Sequence, residues 1–174
     1  TPLKGIGNLV DLIEEIKQII FSAAVSSEAY AIKRVSFFSG KKIRYGDWSA
    51  DKVVRLFRRL ATIRFTPSMV HEHLIGYQRL ATLKQVIFHN TMKDMSQVLM
   101  KLESYSSYGA QLAYQQHKKS SLLKAIGHSF WCFIRGYLLR LGFLDGREGF
   151  ILAISNALGV FYRYVKLIYL YELG

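Results

Sequence analysis

The sequence predicts a mixed α/β fold (an α+β fragment) in which short strands precede a helical C-terminal tail. Before about residue 90, apolar and polar residues alternate in short runs that turn residues separate, as at 30–35 and 39–42. From Lys93 onward, apolar residues recur every three or four positions, the spacing of amphipathic helices. We therefore predict one domain over residues 1–91 and a tail of three amphipathic helices over residues 92–174.

Each element follows from a local pattern. Residues 1–24 are predicted to be helical because Thr1 can cap a helix, Pro2 suits its first turn, and Leu and Ile then recur at helical spacing. A hairpin is predicted over 30–46, with its turn at 39–42. The other predicted strands cover 52–59, 69–74 and 84–89, and the predicted tail helices cover 93–117, 121–141 and 147–173. Between the last two helices, Gly142-Phe143-Leu144-Asp145-Gly146 is predicted to form a turn.

Composition indicates a folded chain with an anionic partner. Apolar residues make up 51% of the 174 residues, too many for a disordered chain, and the net charge is +12. The single cysteine, Cys132, excludes an internal disulfide and lies in an apolar helical run, where we expect it to act as a small hydrophobic residue. No signal-peptide pattern and no initiating methionine precede the first helix, so we expect a fragment of a longer protein.

The predicted tail helices combine wide apolar faces with basic residues. Lys124, His128 and Arg135 share one face of the second helix, and Arg163 and Lys166 belong to a narrow polar stripe on the third. Neither helix has the charge-free run of about 18 residues expected of a membrane span. Apolar faces bordered by basic residues favour helices that lie in an anionic membrane interface. Two buried helices of a soluble bundle are the alternative.

Three groups of residues are candidates for chemistry. His71-Glu72-His73 could bind a metal or move protons, although on a strand Glu72 faces away from the two histidines. His89 ends a predicted strand just before a helix, where it could meet a metal or phosphate, or cap the helix. A basic cluster that suits phosphate, or is only a solvated face, lies in and just after the strand predicted over 52–59: Arg55, Arg58, Arg59 and Arg64. Signatures of nucleophilic catalysis, P-loops and structural zinc are absent from the sequence.

Several of these segments, in this order, resemble one enzyme family. The sequence resembles family 2 glycosyltransferases of the lipopolysaccharide-core β-glucosyltransferase type, over nearly all of its length. The most specific match is Gly142-Phe143-Leu144-Asp145-Gly146 together with Tyr162-Arg163-Tyr164-Val165-Lys166. The other matching segments are residues 54–59, residues 70–74, Phe88-His89, Met100-Lys101-Leu102 and Tyr105-Ser106.

The resemblance implies that this chain is the C-terminal, acceptor-side half of such an enzyme, with part of a GT-A sheet. In that family, a nucleotide-binding half ends in an aspartate-rich motif followed by a helix start like Thr1-Pro2. It implies Glu72 as the catalytic base, although the family usually has Glu-Asp where this chain has Glu72-His73. It implies His89 as a ligand of a divalent cation, Mg²⁺ or Mn²⁺. Contacts to substrate are implied for Arg55, Arg58, Arg59 and His71.

The function that these observations predict is inverting sugar transfer at a membrane. The expected donor is a nucleotide sugar, a UDP-sugar by the resemblance, and the expected acceptor is a lipid-anchored saccharide such as the lipopolysaccharide core. We expect the enzyme to lie peripherally on the cytoplasmic face of the bacterial inner membrane, bound through Lys124, Arg135, Arg163 and Lys166. The alternative is a noncatalytic membrane-surface binding module. Nucleic acid is not expected as a partner, because the basic residues alternate with large apolar faces and no nucleic-acid motif occurs.

Overall fold

A computed structural model confirms the mixed class, with short antiparallel strands followed by helices. It divides into two compact units, of which the first comprises Thr1–Val35 with Ala50–His89 and the second comprises Ser36–Ser49 with Asn90–Gly174. The structure describes residues 4–22, 27–49, 51–66, 73–92 and 94–173, and for residues 4–8 and 90–92 it describes the backbone alone. The predicted assignment of residues 1–91 to a catalytic domain and 92–174 to a membrane tail stays a prediction.

The elements follow the predicted order. The strands are β1 (Ala29–Phe38), β2 (Lys41–Lys42), β3 (Asp51–Phe57), β4 (Arg64–Phe65), β5 (Leu74–Ile75) and β6 (Leu80–Met92). The α-helices are α1 (Lys4–Phe21), α2 (Met95–Gln115), α3 (Leu122–Ile134) and α4 (Gly146–Glu172). Short turns of other helix types cover Gly46–Trp48, Arg135–Leu139 and Gly142–Asp145.

In the first unit, β1 is the central strand. It pairs antiparallel with β3, and it also pairs with β6. One face of α1 supplies Leu12 and Ile16 to a core that includes Tyr30, Ile32 and Leu83. The Glu15 carboxylate on α1 accepts backbone N–H groups of residues 84 and 85 on β6, at 2.7 and 2.9 Å. These two charge-assisted bonds attach the helix to the strand beyond what apolar packing supplies.

A small antiparallel pair, β4 with β5, joins Phe65 to Leu74 and Arg64 to Ile75. The strand predicted over 69–74 is observed only at its end, because residues 67–72 lie outside the described part of the chain. Gly76 follows with a φ of +88°, and a Cβ there would lie 1.8 Å from the Thr62 carbonyl oxygen. Residue 76 must therefore be glycine for two reasons: its φ is positive, and a Cβ would overlap the Thr62 carbonyl oxygen.

In the second unit, α4 packs along both α2 and α3. Small residues on α2, among them Ser106, Ala110 and Ala113, are buried, and Leu167 of α4 joins the last two in one apolar cluster. A second cluster joins Phe38 and Ile43 of the β1–β2 region to apolar side chains of α2 and α4. The starts of α2 and α3 have side-chain caps, since Asp94 accepts from the Gln97 N–H and Ser121 accepts from the Lys124 N–H.

Two predicted boundaries need correction. The second tail helix was predicted to run to residue 141, but the α-helix ends at Ile134 and continues as a π turn, Arg135–Leu139. Leu141 then adopts a left-handed φ of 58°, which turns the chain toward α4. The third strand was predicted to end at His89, but β6 continues to Met92, so His89 does not lie beside a helix N-terminus. Periodicity in apolar residues carries no signal for either change.

The stretch Gly142–Glu172 is long and apolar enough to cross a membrane, judged by length and composition alone. Its best window of 18 residues has a mean hydropathy of 1.3, and 22% of that window is buried. The sequence prediction counted only charge-free runs, whereas this window tolerates up to two charged residues.

Candidate functional site

The wall of the candidate site depends on close packing of glycines in the second unit. A Cβ on Gly142 would lie 2.6 Å from the carbonyl oxygen of Gly136, and a Cβ on Gly149 would lie 1.9 Å from the carbonyl oxygen of Gly142. These positions bring the π turn, the Gly142–Asp145 turn and the start of α4 into backbone contact. Only glycine permits this approach, which explains Gly142 and Gly149, whereas Gly146 has a φ of +65° that favours glycine.

Asp145 attaches a distant segment to these turns. Its side chain is 4% exposed, and its carboxylate accepts backbone N–H groups of Arg44 at 3.0 and 3.2 Å and of Tyr45 at 2.8 Å. Beside it, the Lys41 ammonium donates to the Asp145 carbonyl at 2.8 Å and to Glu148 at 2.7 Å. That hydrogen bond from Lys41 is the main reason that the pKa of Glu148 is lowered to about 2. Residues 43–48 are thereby held against α4.

Asp47, in this held segment, forms the charged centre of the site. Its carboxylate accepts hydrogen bonds from the guanidinium groups of Arg135, at 3.3 Å, and Arg140. The next residue, Trp48, donates its indole N–H to Asn156 of α4 at 3.0 Å. Among the described residues, the Nε of Arg135 is buried and has no hydrogen-bond partner. A buried N–H without an acceptor is destabilising.

These groups line an open cavity of about 470 Å³ within the second unit. Its basic side chains are Lys101, Arg135, Arg140 and Arg163, and its one carboxylate, on Asp47, already has two arginine partners. Its walls also carry the aromatic side chains of Trp48 and Tyr105 and the polar side chains of Ser106, Ser155 and Asn156. Aromatic faces, hydroxyl and amide groups and an excess of cations suit a polar, negatively charged ligand. Because Asp47 is held by two cations, the cavity is better equipped for binding than for proton transfer.

Cys132 also lines this cavity and is buried. Burial is the main cause that raises the pKa of its thiol, with a smaller contribution from the negative charge of Asp47. A raised pKa disfavours the nucleophilic thiolate. The prediction that Cys132 acts as a small hydrophobic residue agrees with this environment.

Of the predicted base Glu72 and the predicted histidines His71 and His89, the structure describes only His89. Glu72 and His71 lie outside the described residues, and His73 is exposed, with its backbone N–H bonded to the Thr66 hydroxyl at 3.0 Å. His89 is half-buried on β6. In the part of the chain that the structure describes, no three side chains of His, Cys, Asp or Glu come together to hold a metal ion.

The predicted substrate-binding arginines are exposed. Register along β3 shifts at Arg55, since Tyr30 pairs with Leu56 and Ala31 pairs with Val54, which leaves Arg55 opposite no residue of β1. Such bulges redirect a side chain out of the regular alternation. Arg58 and Arg59 follow directly after β3, and none of the three arginines forms an ion pair with another described residue. Among the described residues they therefore remain available to an anion.

The four predicted membrane contacts have different surroundings. Lys124 is exposed, Arg135 is paired with Asp47, and the Arg163 guanidinium lies 5.1 Å from the centroid of the Tyr164 ring. Lys166 instead joins α4 to α2, donating to the hydroxyls of two serines at 2.6 and 2.9 Å and to Glu103 at 3.3 Å. The structure therefore explains Lys166 by helix packing, and a membrane role for it stays a prediction.

Sequence reasoning missed the residues that build the cavity. The sequence did not single out four of them, because each contributes to the site through a hydrogen bond to a residue about 90 to 110 positions away in the chain. These four are Asp47, Trp48, Arg140 and Asn156. The one available signal was the Gly-rich 142–146 segment, which was predicted to be a turn but not an anchor for residues 44 and 45.

Comparison with known proteins places the chain near glycosyltransferases. An uncharacterized glycosyltransferase of Rickettsia prowazekii is 26% identical over 147 residues, which cover 80% of this chain and 50% of that protein. An uncharacterized glycosyltransferase of Rickettsia typhi is 25% identical over the same length and shares, and one of Rickettsia bellii is 27% identical over 89 residues, 51% of this chain and 30% of that protein.

No family model matches the chain, and no solved structure shows significant similarity to it. The aligned 80% of the chain exceeds the length of either compact unit, so the similarity reaches into both. The chain spans about half the length of the curated relatives that it matches over 147 residues. It is thus a distant relative of proteins named glycosyltransferases, aligned with about half of them.

Proposed function

We propose that this chain is part of an inverting family 2 glycosyltransferase with a GT-A catalytic domain. The enzyme transfers a sugar from a UDP-sugar or other nucleotide sugar to the lipopolysaccharide core or another lipid-linked saccharide. The observation that carries the proposal is the similarity to glycosyltransferases of two Rickettsia species over 147 residues. The lipopolysaccharide-core β-glucosyltransferase subtype is proposed from the sequence resemblance alone.

In this proposal, Glu72 takes the proton of the acceptor hydroxyl as that oxygen attacks the anomeric carbon of the donor. The bond from the anomeric carbon to the nucleoside diphosphate breaks, and the diphosphate leaves with the bonding electron pair. Arg55, Arg58 and Arg59 support this step, because exposed guanidinium groups that have no carboxylate partner among the described residues can stabilise the negative charge on the leaving diphosphate.

The predicted divalent cation does not fit the described residues alone. Mg²⁺ and Mn²⁺ prefer several oxygen ligands, whereas His89 offers one nitrogen and no carboxylate group gathers with it among the described side chains. A cation would need carboxylates from elsewhere in the full-length enzyme, with His89 as an additional ligand. We therefore expect the 174 residues alone to be inactive.

The surface of α3 supports the proposed place of action, the cytoplasmic face of the inner membrane. Its outward side carries large apolar residues, including Leu123, which is 83% exposed, and Phe130, which is 67% exposed. Lys124 and His128 border this side. An exposed apolar helix face with a basic border suits peripheral insertion among anionic headgroups.

The test uses the complete product of the gene with UDP-sugars and a lipid-linked saccharide acceptor. We expect release of UDP that depends on the acceptor and formation of a lipid-linked product with an inverted anomeric centre. The second candidate, a noncatalytic membrane-surface module, is favoured by the apolar face of α3. It forecasts binding to anionic vesicles with no consumption of any nucleotide sugar, and that result would overturn the transferase proposal.

A further inference from the structure

A second cavity in the helical unit has a distinct chemical character. It measures about 430 Å³, and five of its eight lining residues carry basic side chains. These are Lys118, Lys119, Lys124, His128 and Arg163, and no acidic residue lines it. Such a one-sided charge differs from the first cavity, where Asp47 neutralises part of the arginine charge.

The connection between α2 and α3 positions the three lysines. At the end of α2, His117 adopts a left-handed φ of 55°, and the Lys118 N–H donates to the Ala113 carbonyl at 3.0 Å. Three residues after Lys118, Ser121 caps α3, with its hydroxyl accepting from the Lys124 N–H at 3.3 Å. Hydrogen bonds therefore hold both ends of a short connection, so the lysine backbones are fixed before a ligand arrives.

Tyr164 organises the opposite wall. The imidazole of His128 stacks on its ring, with centroids 4.8 Å apart and planes 5° from parallel. The guanidinium of Arg163 lies 5.1 Å from the centroid of the same ring. A Cβ on Gly109 would lie 2.8 Å from the Arg163 side chain, so the glycine leaves the space that this side chain occupies. One aromatic ring thus orients two nitrogen-bearing side chains.

The charge of this cavity has no counterpart in the described part of the chain. Lys118, Lys119, Lys124 and Arg163 form no ion pair with any described residue, although Lys41 and Lys166 in the same unit each have a glutamate partner. Four cations at one cavity repel each other, and an anion placed between them would remove that repulsion. Lysine and arginine side chains are the usual protein ligands of phosphate groups.

We propose that this cavity is a binding site for a phosphate group, carried either by a lipid headgroup or by a soluble phosphorylated compound. A phosphate monoester carries close to two negative charges at neutral pH and offers three acceptor oxygens, which matches several converging donors better than a single carboxylate. The floor of the cavity includes Ala113 and Leu167, both buried, so the ligand meets cations at the rim and apolar surface below. This site is separate from the proposed sugar transfer and requires none.

The first experiment measures binding of inorganic pyrophosphate to the 174-residue chain by titration calorimetry at physiological ionic strength. The test variant is Lys118→Gln/Lys124→Gln, and the control variant is Lys42→Gln/Lys52→Gln, which loses the same charge at exposed lysines outside the cavity. We expect at least a tenfold rise in Kd for the test variant and less than a twofold change for the control. Equal losses in the two variants, or no binding by the unaltered chain, would overturn the proposal. Tryptophan fluorescence confirms that each variant is folded.

A second experiment separates the two sources of phosphate. Vesicles of phosphatidylcholine with phosphatidic acid, which has a phosphate monoester headgroup, are compared with vesicles of phosphatidylcholine and phosphatidylglycerol at equal charge. A lipid source predicts preference for phosphatidic acid, competition by pyrophosphate and loss in the test variant. A soluble source predicts pyrophosphate binding with vesicle binding unchanged in the test variant. Neither result depends on catalysis, so failure here and failure of the glycosyltransferase proposal are distinguishable.

Discussion

Replacing Asp145 should destabilise the helical unit more than replacing an exposed residue does. In Asp145→Ala, the N–H groups of Arg44 and Tyr45 lose the carboxylate that accepts them at 2.8 to 3.2 Å. An unsatisfied, part-buried N–H costs about 1–3 kcal/mol, so two should lower the free energy of unfolding by about 2–6 kcal/mol. For a chain of this size the melting temperature should fall by about 5–15 °C. Asp145→Asn keeps one acceptor oxygen and should lose about half as much.

The assay is urea and thermal unfolding followed by tryptophan fluorescence. Both tryptophans of the chain, Trp48 and Trp131, lie in the second unit, so the signal reports this unit alone. The matched control is Glu172→Ala, which removes an exposed carboxylate from the same unit and should change stability by less than about 0.5 kcal/mol. Equal stability of Asp145→Ala and this control would refute the idea that Asp145 anchors residues 44 and 45.

The other predictions concern acid stability, glycine packing and membrane binding. The pKa of Glu148 is lowered to about 2, mainly by its hydrogen bond from Lys41, so folding favours its carboxylate form. That stabilisation is present above the ordinary pKa, 4.5, and is lost as the pH falls toward 2. The melting temperature should therefore fall less across this pH interval in Glu148→Gln than in the unaltered chain. An equal fall in both proteins would show that the ion pair contributes nothing. Gly149→Ala puts a Cβ 1.9 Å from a backbone oxygen and should lower the free energy of unfolding by more than about 3 kcal/mol. Gly127 has open space around it, so Gly127→Ala should stabilise α3 by up to about 1 kcal/mol. Similar melting temperatures for the two variants would contradict the packing argument. The double variant Leu123→Ser/Phe130→Ser should reduce co-sedimentation with anionic vesicles at least tenfold without lowering the melting temperature. Salt should weaken vesicle binding of the unaltered chain only in part. Undiminished vesicle binding by the double variant would show that α3 does not contact the membrane.

Elements with a strong local pattern could be predicted from the sequence. The third tail helix was predicted over 147–173 and observed over Gly146–Glu172, because its apolar spacing persists for more than seven turns. A hairpin was predicted over 30–46 from its alternation, and β1 does pair antiparallel with the strand that follows it. The turn is tighter than predicted, because β2 is Lys41–Lys42, within the stretch 39–42 that was predicted to be the turn. The turn at 142–146 was also predicted, from its two glycines.

Features that depend on distant partners could not be predicted. The pairing of Asp47 with Arg135 joins residues 88 positions apart, and no periodicity in either segment encodes it. The π turn after Ile134 keeps the apolar spacing of a helix, so the sequence alone extends the α-helix through it. Lys166 appeared to be one cation of a polar stripe, and only the position of α2 explains its bonds to Glu103 and the two serines. Local signals thus predicted the elements, and tertiary contacts decided the roles of individual charged residues.

The central claim, that this chain belongs to a sugar-transferring enzyme with Glu72 as its base, is tested most directly by the kcat of Glu72→Gln in the complete gene product. Glutamine keeps the shape of the side chain but cannot take the proton of the acceptor hydroxyl, so kcat should fall by about 10²–10⁴ while the Kd for the nucleotide sugar stays nearly unchanged. Glu172→Gln, an equal change on an exposed residue, should retain full kcat. A Glu72→Gln enzyme with near-normal kcat would contradict the account.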